Sequence, residues 1–283
     1  TRDGVPLTTK NRRFFDLRKE KVQAYIQEKM CSFLRENGFG YLKIDYNDNY
    51  GMGCDGAESL GEAGRQVAEE SLGWLGKLKE AVPGIVIENC SSGGGRIEPL
   101  RMQKVSMCSF SDAHECDEIP LVAANVSRVI PARQSQIWAV LREQDSVSRI
   151  VWSLTAAMFG RICISGDILR LTKEQRQALA EGLAFYEEIK QIVAEGDTQE
   201  IDCTVRYYRD PQGRQIVRKL SRDGKRMLVL AHVFRAPFER CECAAEGFAV
   251  KKAYTTLGWE MKGGKLVFSP APMQAGAFLL EKA

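Results

Sequence analysis

Residues 39–46 read Phe39-Gly-Tyr-Leu-Lys-Ile-Asp-Tyr46, a short strand that runs into a polar segment. Two helical patterns flank this strand. Residues 18–36 carry apolar side chains at helical spacing and end at Gly38, and residues 58–81 form a second helix that Pro83-Gly84 stops. A strand between two helices is typical of an α/β protein with parallel strands.

The same alternation continues to about residue 195. We expect further strands at residues 85–88, 105–111, 136–141 and 161–165, and helices at 146–159 and 172–195. Thr172 and Gln175 have the spacing of a capping box at the start of the last helix. Five strands are three fewer than a closed barrel needs. The sequence therefore predicts an α/β fold of the (β/α)8 TIM-barrel type, with only the later strands present, over residues 1–195.

The pattern changes after Gly196, where short segments of high β-propensity are separated by turn signals. Candidate strands lie at residues 203–208, 227–234, 251–255, 266–268 and 276–280, and no helical period is present. We predict a C-terminal antiparallel β-sandwich domain over residues 196–283.

The composition excludes several classes of function. Lys and Arg number 40 against 37 Asp and Glu, a net charge of +3, and no basic run is present, so we expect no nucleic-acid partner. No apolar run approaches the roughly 20 residues that span a bilayer, so we expect no membrane partner. The nine cysteines are scattered, which favours reduced, mostly buried thiols and a cytoplasmic location.

Three polar clusters follow predicted strands. They are Lys43 to Asn49, Glu88 to Arg96, and Ser109 to Glu115. In parallel α/β barrels, active sites form at the carboxyl ends of the strands. The clusters are therefore candidates for one site.

In the first cluster, Lys43 and Asp45 lie on the same side of the strand because side chains alternate with period two. An ammonium beside a carboxylate keeps it ionised, as a glycosidase nucleophile requires. The alternative is that Asp45 caps a loop or simply pairs with Lys43. A calcium loop is excluded because the glycine comes one position late, at Gly51, and Gly56 stands where glutamate is needed.

In the third cluster, Asp112 is a candidate acid that protonates a leaving oxygen, and its alternative is a helix N-cap. We reject a triad of Ser111, His114 and Asp112, since triads are built from separate elements. Cys108, His114 and Cys116 do not have zinc spacing, so we expect no metal.

The second cluster contains the glycine-rich run Cys90-Ser-Ser-Gly-Gly-Gly-Arg96. It lacks the Gly-Lys-Ser/Thr ending of a P-loop. Its glycines let the backbone approach a ligand closely, and a sugar fits such a loop as well as a phosphate does.

These three clusters, in this order, resemble glycoside hydrolase family 36, the α-galactosidases. The family's Lys-Trp-Asp-Met-Asn-Arg corresponds to Lys43-Ile-Asp-Tyr-Asn-Asp48, and its Cys-Ser-x-Gly-Gly-Gly-Arg to Cys90-Ser-Ser-Gly-Gly-Gly-Arg96. Its Ser-Asp motif corresponds to Ser111-Asp112. The resemblance runs from about residue 10 to the end of the chain.

The resemblance implies a retaining mechanism with Asp45 as nucleophile and Asp112 as general acid/base, about 5–6 Å apart, and with no cofactor. It also implies a set of substrate-binding residues: Lys43, Asn47, Cys90, Ser91, Gly93 and Arg96. The implied substrate is an oligosaccharide or glycoconjugate with a terminal α-galactose-type sugar.

The chain departs from the family at Ile44 and Asp48, and it has no Asp-Asp-Gly-Trp-like segment. The departures leave open an α-N-acetylgalactosaminidase, a galactosyl transferase or an inactive truncated module. We expect a fragment, or a chain whose other half is supplied elsewhere. Exposed sheet edges and helix faces would then favour association into a homo-oligomer.

Overall fold

The computed structural model describes residues 1–112, 115, 117–235, 241–269 and 271–283. They form two compact units, Thr1–Ser109 and Phe110–Ala283. The domain boundary predicted between residues 195 and 196 lies inside the second unit, where a helix gives way to a strand, and it stays a prediction.

The first unit holds a parallel sheet with its helices. The strands of the unit are β1 (Thr8–Thr9) and β2 (Arg12–Arg13), which pair antiparallel with each other, and β3 (Tyr41–Asp45), β4 (Val86–Cys90) and β5 (Met107–Ser109) of the parallel sheet. Its helices are α1 (Glu20–Ile26), α2 (Ser32–Glu36), α3 (Leu60–Ala81) and α4 (Pro99–Met102). The helix predicted over residues 18–36 is interrupted, because a π-helical turn at Gln27–Cys31 joins α1 to α2.

Strands β3, β4 and β5 run parallel, as the β/α alternation predicts. Asp45 is paired in register with Cys90, and Glu88 with Met107. Helix α3 begins where the Ser59 hydroxyl accepts a hydrogen bond from the Glu62 N–H at 3.1 Å. Because the register is fixed, the end of β3 lies beside the start of the glycine-rich run.

The second unit begins with helices and a pair of parallel strands. Its helices are α5 (Ile119–Val126), α6 (Val147–Ala157) and α7 (Lys173–Glu195), with 3-10 turns at Ala132–Gln134 and Ile168–Arg170 and parallel strands β6 (Ser135–Leu141) and β7 (Arg161–Gly166). The capping box predicted for α7 is confirmed, because the Gln175 side chain accepts from the Thr172 N–H at 2.7 Å and the Gln175 N–H donates to the Thr172 hydroxyl.

The rest of the second unit is antiparallel β-structure. Its strands are β8 (Asp197–Cys203), β9 (Arg214–Leu220), β10 (Arg226–Val233), β11 (Cys241–Ala244), β12 (Phe248–Thr255), β13 (Gly258–Lys262), β14 (Lys265–Ser269) and β15 (Gln274–Lys282). One sheet has the order β12-β15-β10-β9-β8 and another has the order β11-β14-β13. Both contribute to one apolar cluster, to which Val229, Phe278 and Phe268 belong.

One predicted strand of this region is wrong. The segment 203–208 is not a strand, and β8 ends at Cys203. The polar residues of β8 become a strand because they pair with β9, where Ile201 lies opposite Val217. The assignment to the (β/α)8 barrel type with only its later strands present, and the sandwich packing, stay predictions.

The cysteine prediction is confirmed for most of the described thiols. Six of the eight described cysteines are buried, while Cys163 is half-buried and Cys203 is exposed. Cys116 lies outside the described residues. Within the part of the chain that the structure describes, no helix is both long and apolar enough to cross a membrane.

Candidate active site

One face of β3 carries Tyr41, Lys43 and Asp45, and Asp45 lies at the carboxyl end of the strand. The carboxylate of Asp45 is exposed, and it accepts a hydrogen bond from the Asn47 side-chain amide at 2.9 Å. The structure thus places the two predicted residues Lys43 and Asp45 on one face, with Asn47 beside them.

The ion pair of Lys43 differs from the simplest sequence interpretation. Its Nζ lies 3.3 Å from Glu88 Oε1, so the direct ion pair is formed with the neighbouring strand. Burial opposes the charge of Lys43, but the negative charge and hydrogen bond of Glu88, together with the charge of Asp45, outweigh burial and raise the Lys43 pKa above its ordinary value. Lys43 is therefore a stable ammonium on the same face of β3 as Asp45.

Cys90 ends β4 directly opposite Asp45 in the parallel register. Its side chain is buried, with 2% of its surface exposed. Burial raises the pKa of the Cys90 thiol, and a hydrogen bond with Asp45 adds to this rise. Cys90 is thus a neutral thiol in contact with the candidate nucleophile.

The glycine-rich run folds back on the loop after β3. The Asn47 side-chain oxygen accepts from the Ser92 N–H at 2.7 Å and from the Ser92 hydroxyl at 3.1 Å. Ser92 and Gly93 have φ angles of 46° and 77°, a region that favours glycine. Asn47 therefore connects the Asp45 carboxylate to this turn and fixes the distance between the two loops.

Ser91 and Arg96 are engaged with the backbone after β3. The Ser91 hydroxyl donates to the Tyr46 carbonyl at 2.6 Å, and Arg96 donates to the Asp48 carbonyl at 3.2 Å. The Arg96 guanidinium also lies 4.9 Å from the centre of the Tyr46 ring. These contacts join the two loops, and a direct contact of either side chain with substrate stays a prediction.

Asp112 belongs to the second unit and is exposed. The alternative of a helix N-cap is wrong for Asp112, because α5 begins at Ile119 and Glu118 occupies the cap position. His114, the other member of the rejected triad, lies outside the described residues. The predicted 5–6 Å between the carboxyl groups of Asp45 and Asp112 stays a prediction.

The sequence placed Glu88 in the second polar cluster but gave no role for it. Glu88 has 2% of its surface exposed, and its carboxylate accepts hydrogen bonds from Tyr41, Ser109 and Lys43. Strand alternation gives a signal, since Glu88 lies two positions before Cys90 and so faces the same side. Among the described residues, no group of three or more His, Cys, Asp or Glu side chains is arranged to hold a metal ion.

Parallel β/α units with polar side chains gathered at strand ends define an α/β fold of the kind that carries enzyme sites. The family model for Melibiase matches residues 1–196. The chain belongs to the Melibiase family.

Two curated relatives illustrate the similarity. Alpha-galactosidase AgaA of Geobacillus stearothermophilus is 27% identical over 197 residues, which cover 66% of this chain and 26% of that protein. Alpha-galactosidase 2 of Pediococcus pentosaceus is 24% identical over 221 residues, which cover 76% of this chain and 30% of that protein. The chain thus spans less than a third of the length of either relative.

Solved structures agree on the fold. The crystal structure of the GH36 α-galactosidase AgaA from Geobacillus stearothermophilus matches with a TM-score of 0.81 at 19% identity, covering 99% of this chain and 41% of that one. An α-galactosidase from Lactobacillus brevis matches with a TM-score of 0.79 at 16% identity, covering 99% and 40%. These likenesses show that the chain has the fold of the corresponding part of GH36 α-galactosidases.

Proposed function

We propose that this chain carries the nucleophile and the general acid/base of a retaining α-galactosidase. The observation that supports this most is the exposed Asp45 carboxylate, which contacts Asn47 and Cys90 at the carboxyl end of β3 in a chain of the Melibiase family. Variants of AgaA have been solved in complex with raffinose and with stachyose. Oligosaccharides ending in α-galactose are the proposed substrates here.

The proposed reaction has two displacements. Asp45 attacks the anomeric carbon and forms a covalent β-galactosyl ester while Asp112 donates its proton to the departing glycosidic oxygen. Asp112, now a carboxylate, then removes a proton from water, whose oxygen attacks the same carbon and releases Asp45. The galactose keeps its α configuration because its anomeric carbon is inverted twice.

The contacts of Asp45 suit a nucleophile. Asn47 donates to one carboxylate oxygen at 2.9 Å and holds the group in one orientation. The Lys43 ammonium remains charged nearby, where it can donate to a sugar hydroxyl. The buried thiol of Cys90 places an uncharged surface beside the reacting carbon.

The test compares p-nitrophenyl α-galactoside hydrolysis by the wild-type chain, by Asp45→Ala and by Asp48→Asn. Asp48 is a matched control, because it is a carboxylate of the same loop that pairs with Arg12 at 3.2 Å and Lys10 at 3.6 Å. Loss of the nucleophile should lower kcat/KM by at least about 10³-fold. Asp48→Asn should stay within about threefold of wild type.

Azide tests retention. Added to Asp45→Ala, it should restore turnover and yield the β-galactosyl azide, since it occupies the place of the missing carboxylate. Unchanged activity in Asp45→Ala would contradict the assignment. The wild-type chain is also assayed with the corresponding p-nitrophenyl α-N-acetylgalactosaminide. Hydrolysis of this compound alone would replace galactose by N-acetylgalactosamine as the proposed sugar. Hydrolysis of neither compound would refute the proposal in favour of an inactive module.

A further inference from the structure

The strand next to the nucleophile strand carries a buried acid that the proposed reaction does not use. Glu88 lies in the middle of β4, and 3% of its side-chain surface is exposed. Carboxylates this buried are rare unless they are paired, because burial removes their hydration. A carboxylate in this position therefore needs hydrogen-bond donors or a positive charge beside it.

Three donors satisfy this carboxylate. The Tyr41 hydroxyl donates to Oε2, and the Ser109 hydroxyl donates to Oε1 at 2.8 Å. The Lys43 ammonium lies 3.3 Å from Oε1. Burial alone would raise the Glu88 pKa, but these hydrogen bonds and the Lys43 charge outweigh burial and lower it. Glu88 is thus an anion held by donors from the two neighbouring strands, β3 and β5.

Two carboxylates, those of Glu88 and Asp45, lie on the same face of the sheet as Lys43. Glu88 is paired with Lys43 in the register of β3 and β4, and Asp45 follows Lys43 by two positions on the same face. An ammonium bound directly to Asp45 would occupy an oxygen that the proposed reaction needs as a nucleophile. The observed pair with Glu88 leaves the Asp45 oxygens clear of the ammonium's direct ion pair, and the Lys43 side chain remains 38% exposed.

We propose that Glu88 is a positioning residue, whose buried carboxylate holds the Lys43 ammonium away from Asp45 and directs it to a sugar hydroxyl. This inference rests on the proposed function, because it assigns Lys43 to galactose. Glu88 itself touches no substrate and acts through Lys43.

A double-mutant cycle tests the link between the two side chains. Galactose affinity is measured by calorimetry on the wild-type chain, Glu88→Gln, Lys43→Met and the double variant, with Tm recorded for each. A charged hydrogen bond that is lost or misplaced should weaken galactose binding about 10- to 100-fold in each single variant. If Glu88 acts only through Lys43, the double variant should bind within about threefold of Lys43→Met.

Two further variants separate positioning from folding. Ser109→Ala removes a different hydrogen bond from the same carboxylate oxygen, and it should lower Tm yet leave galactose affinity within about threefold of wild type. Glu88→Asp keeps the charge but withdraws it by one methylene. Its galactose affinity should be weaker than that of wild type, and this comparison remains valid even if Glu88→Gln does not fold.

The outcomes distinguish the two claims. The role of Glu88 would be overturned if both Glu88 variants bound galactose with wild-type affinity. It would also be overturned if the losses of affinity in Glu88→Gln and Lys43→Met multiplied in the double variant. Either result would leave the proposed function intact. A wild-type chain that neither binds galactose nor hydrolyses galactosides would overturn the proposed function, and this inference with it.

Discussion

Acidification should destabilise the second unit through one buried histidine. His232 lies on β10 with none of its surface exposed. Its ring centre is 4.9 Å from that of Trp152 and 6.0 Å from that of Phe159. Burial among these rings lowers the pKa of His232 to about 3, against a smaller opposing contribution from the backbone of Trp152. The native state therefore holds His232 neutral at pH values where an unfolded chain would protonate it.

The sign and size of the effect follow from linkage. The folded pKa is below the unfolded value of about 6.5, so the unfolded state binds more protons between these two values. The contribution of neutral His232 to the free energy of unfolding is fully present above about pH 7. It is lost as pH falls below about 6.5, and the loss stops growing near pH 3. At pH 5 the protonation of the unfolded chain should cost about 2 kcal/mol relative to pH 7.5.

Urea denaturation at pH 7.5 and pH 5 measures this loss in the wild-type chain and in His232→Phe. The phenylalanine has a similar shape and cannot titrate, so any packing cost is the same at both pH values. The other histidine, His114, is present in both proteins and cancels. The wild type should lose about 2 kcal/mol more than His232→Phe. An equal loss in the two proteins would refute this reasoning.

Three further predictions concern single substitutions. Gly182→Ala in α7 should lower the free energy of unfolding by about 2 kcal/mol or more, because a Cβ there would lie 2.8 Å from core side chains. Gly73→Ala in α3 meets nothing within 4 Å and should raise the free energy of unfolding by up to about 1 kcal/mol. Urea denaturation of the two variants measures both changes. Gly95→Ala should reduce activity and stability, because its Cβ would lie 2.5 Å from the Ser91 carbonyl oxygen. Gly40→Ala is the control, since a Cβ there meets no atom within 4 Å. Equal activities of the two variants would contradict the close approach of Gly95 to Ser91. Asp112→Ala should lose far more activity on raffinose than on p-nitrophenyl α-galactoside, since p-nitrophenolate leaves without a proton; equal losses would remove Asp112 as the acid.

The sequence predicted much of the first unit because its signals are local. The polar ends of β3 and β4 lie where the strands were expected, and α3 is stopped before Pro83. The segment 203–208 was misassigned because Val205, Tyr207 and Tyr208 have high β-propensity. The true strand β8 contains mostly polar residues and exists through its pairing with β9, which no local pattern reveals.

The structure shows how the candidate site residues contact one another, while their catalytic and binding roles stay predictions. Motif order identified Asp45, Asn47 and Cys90, and the structure brings these three residues together. The pairing of Lys43 with Glu88 could not be read from the sequence, because the two residues are 45 positions apart and meet only through the parallel register of β3 and β4. Homo-oligomer formation and a cytoplasmic location stay predictions.

The central claim is that Asp45 is the nucleophile, and trapping the covalent intermediate tests it most directly. The wild-type chain is incubated with 5-fluoro-α-galactosyl fluoride, digested with trypsin and sequenced by mass spectrometry. The account predicts one added fluorogalactosyl group in the peptide of residues 44–65, located on Asp45 and absent from Asp45→Ala. Labelling of another carboxylate in a wild-type chain that turns over galactosides would contradict the account.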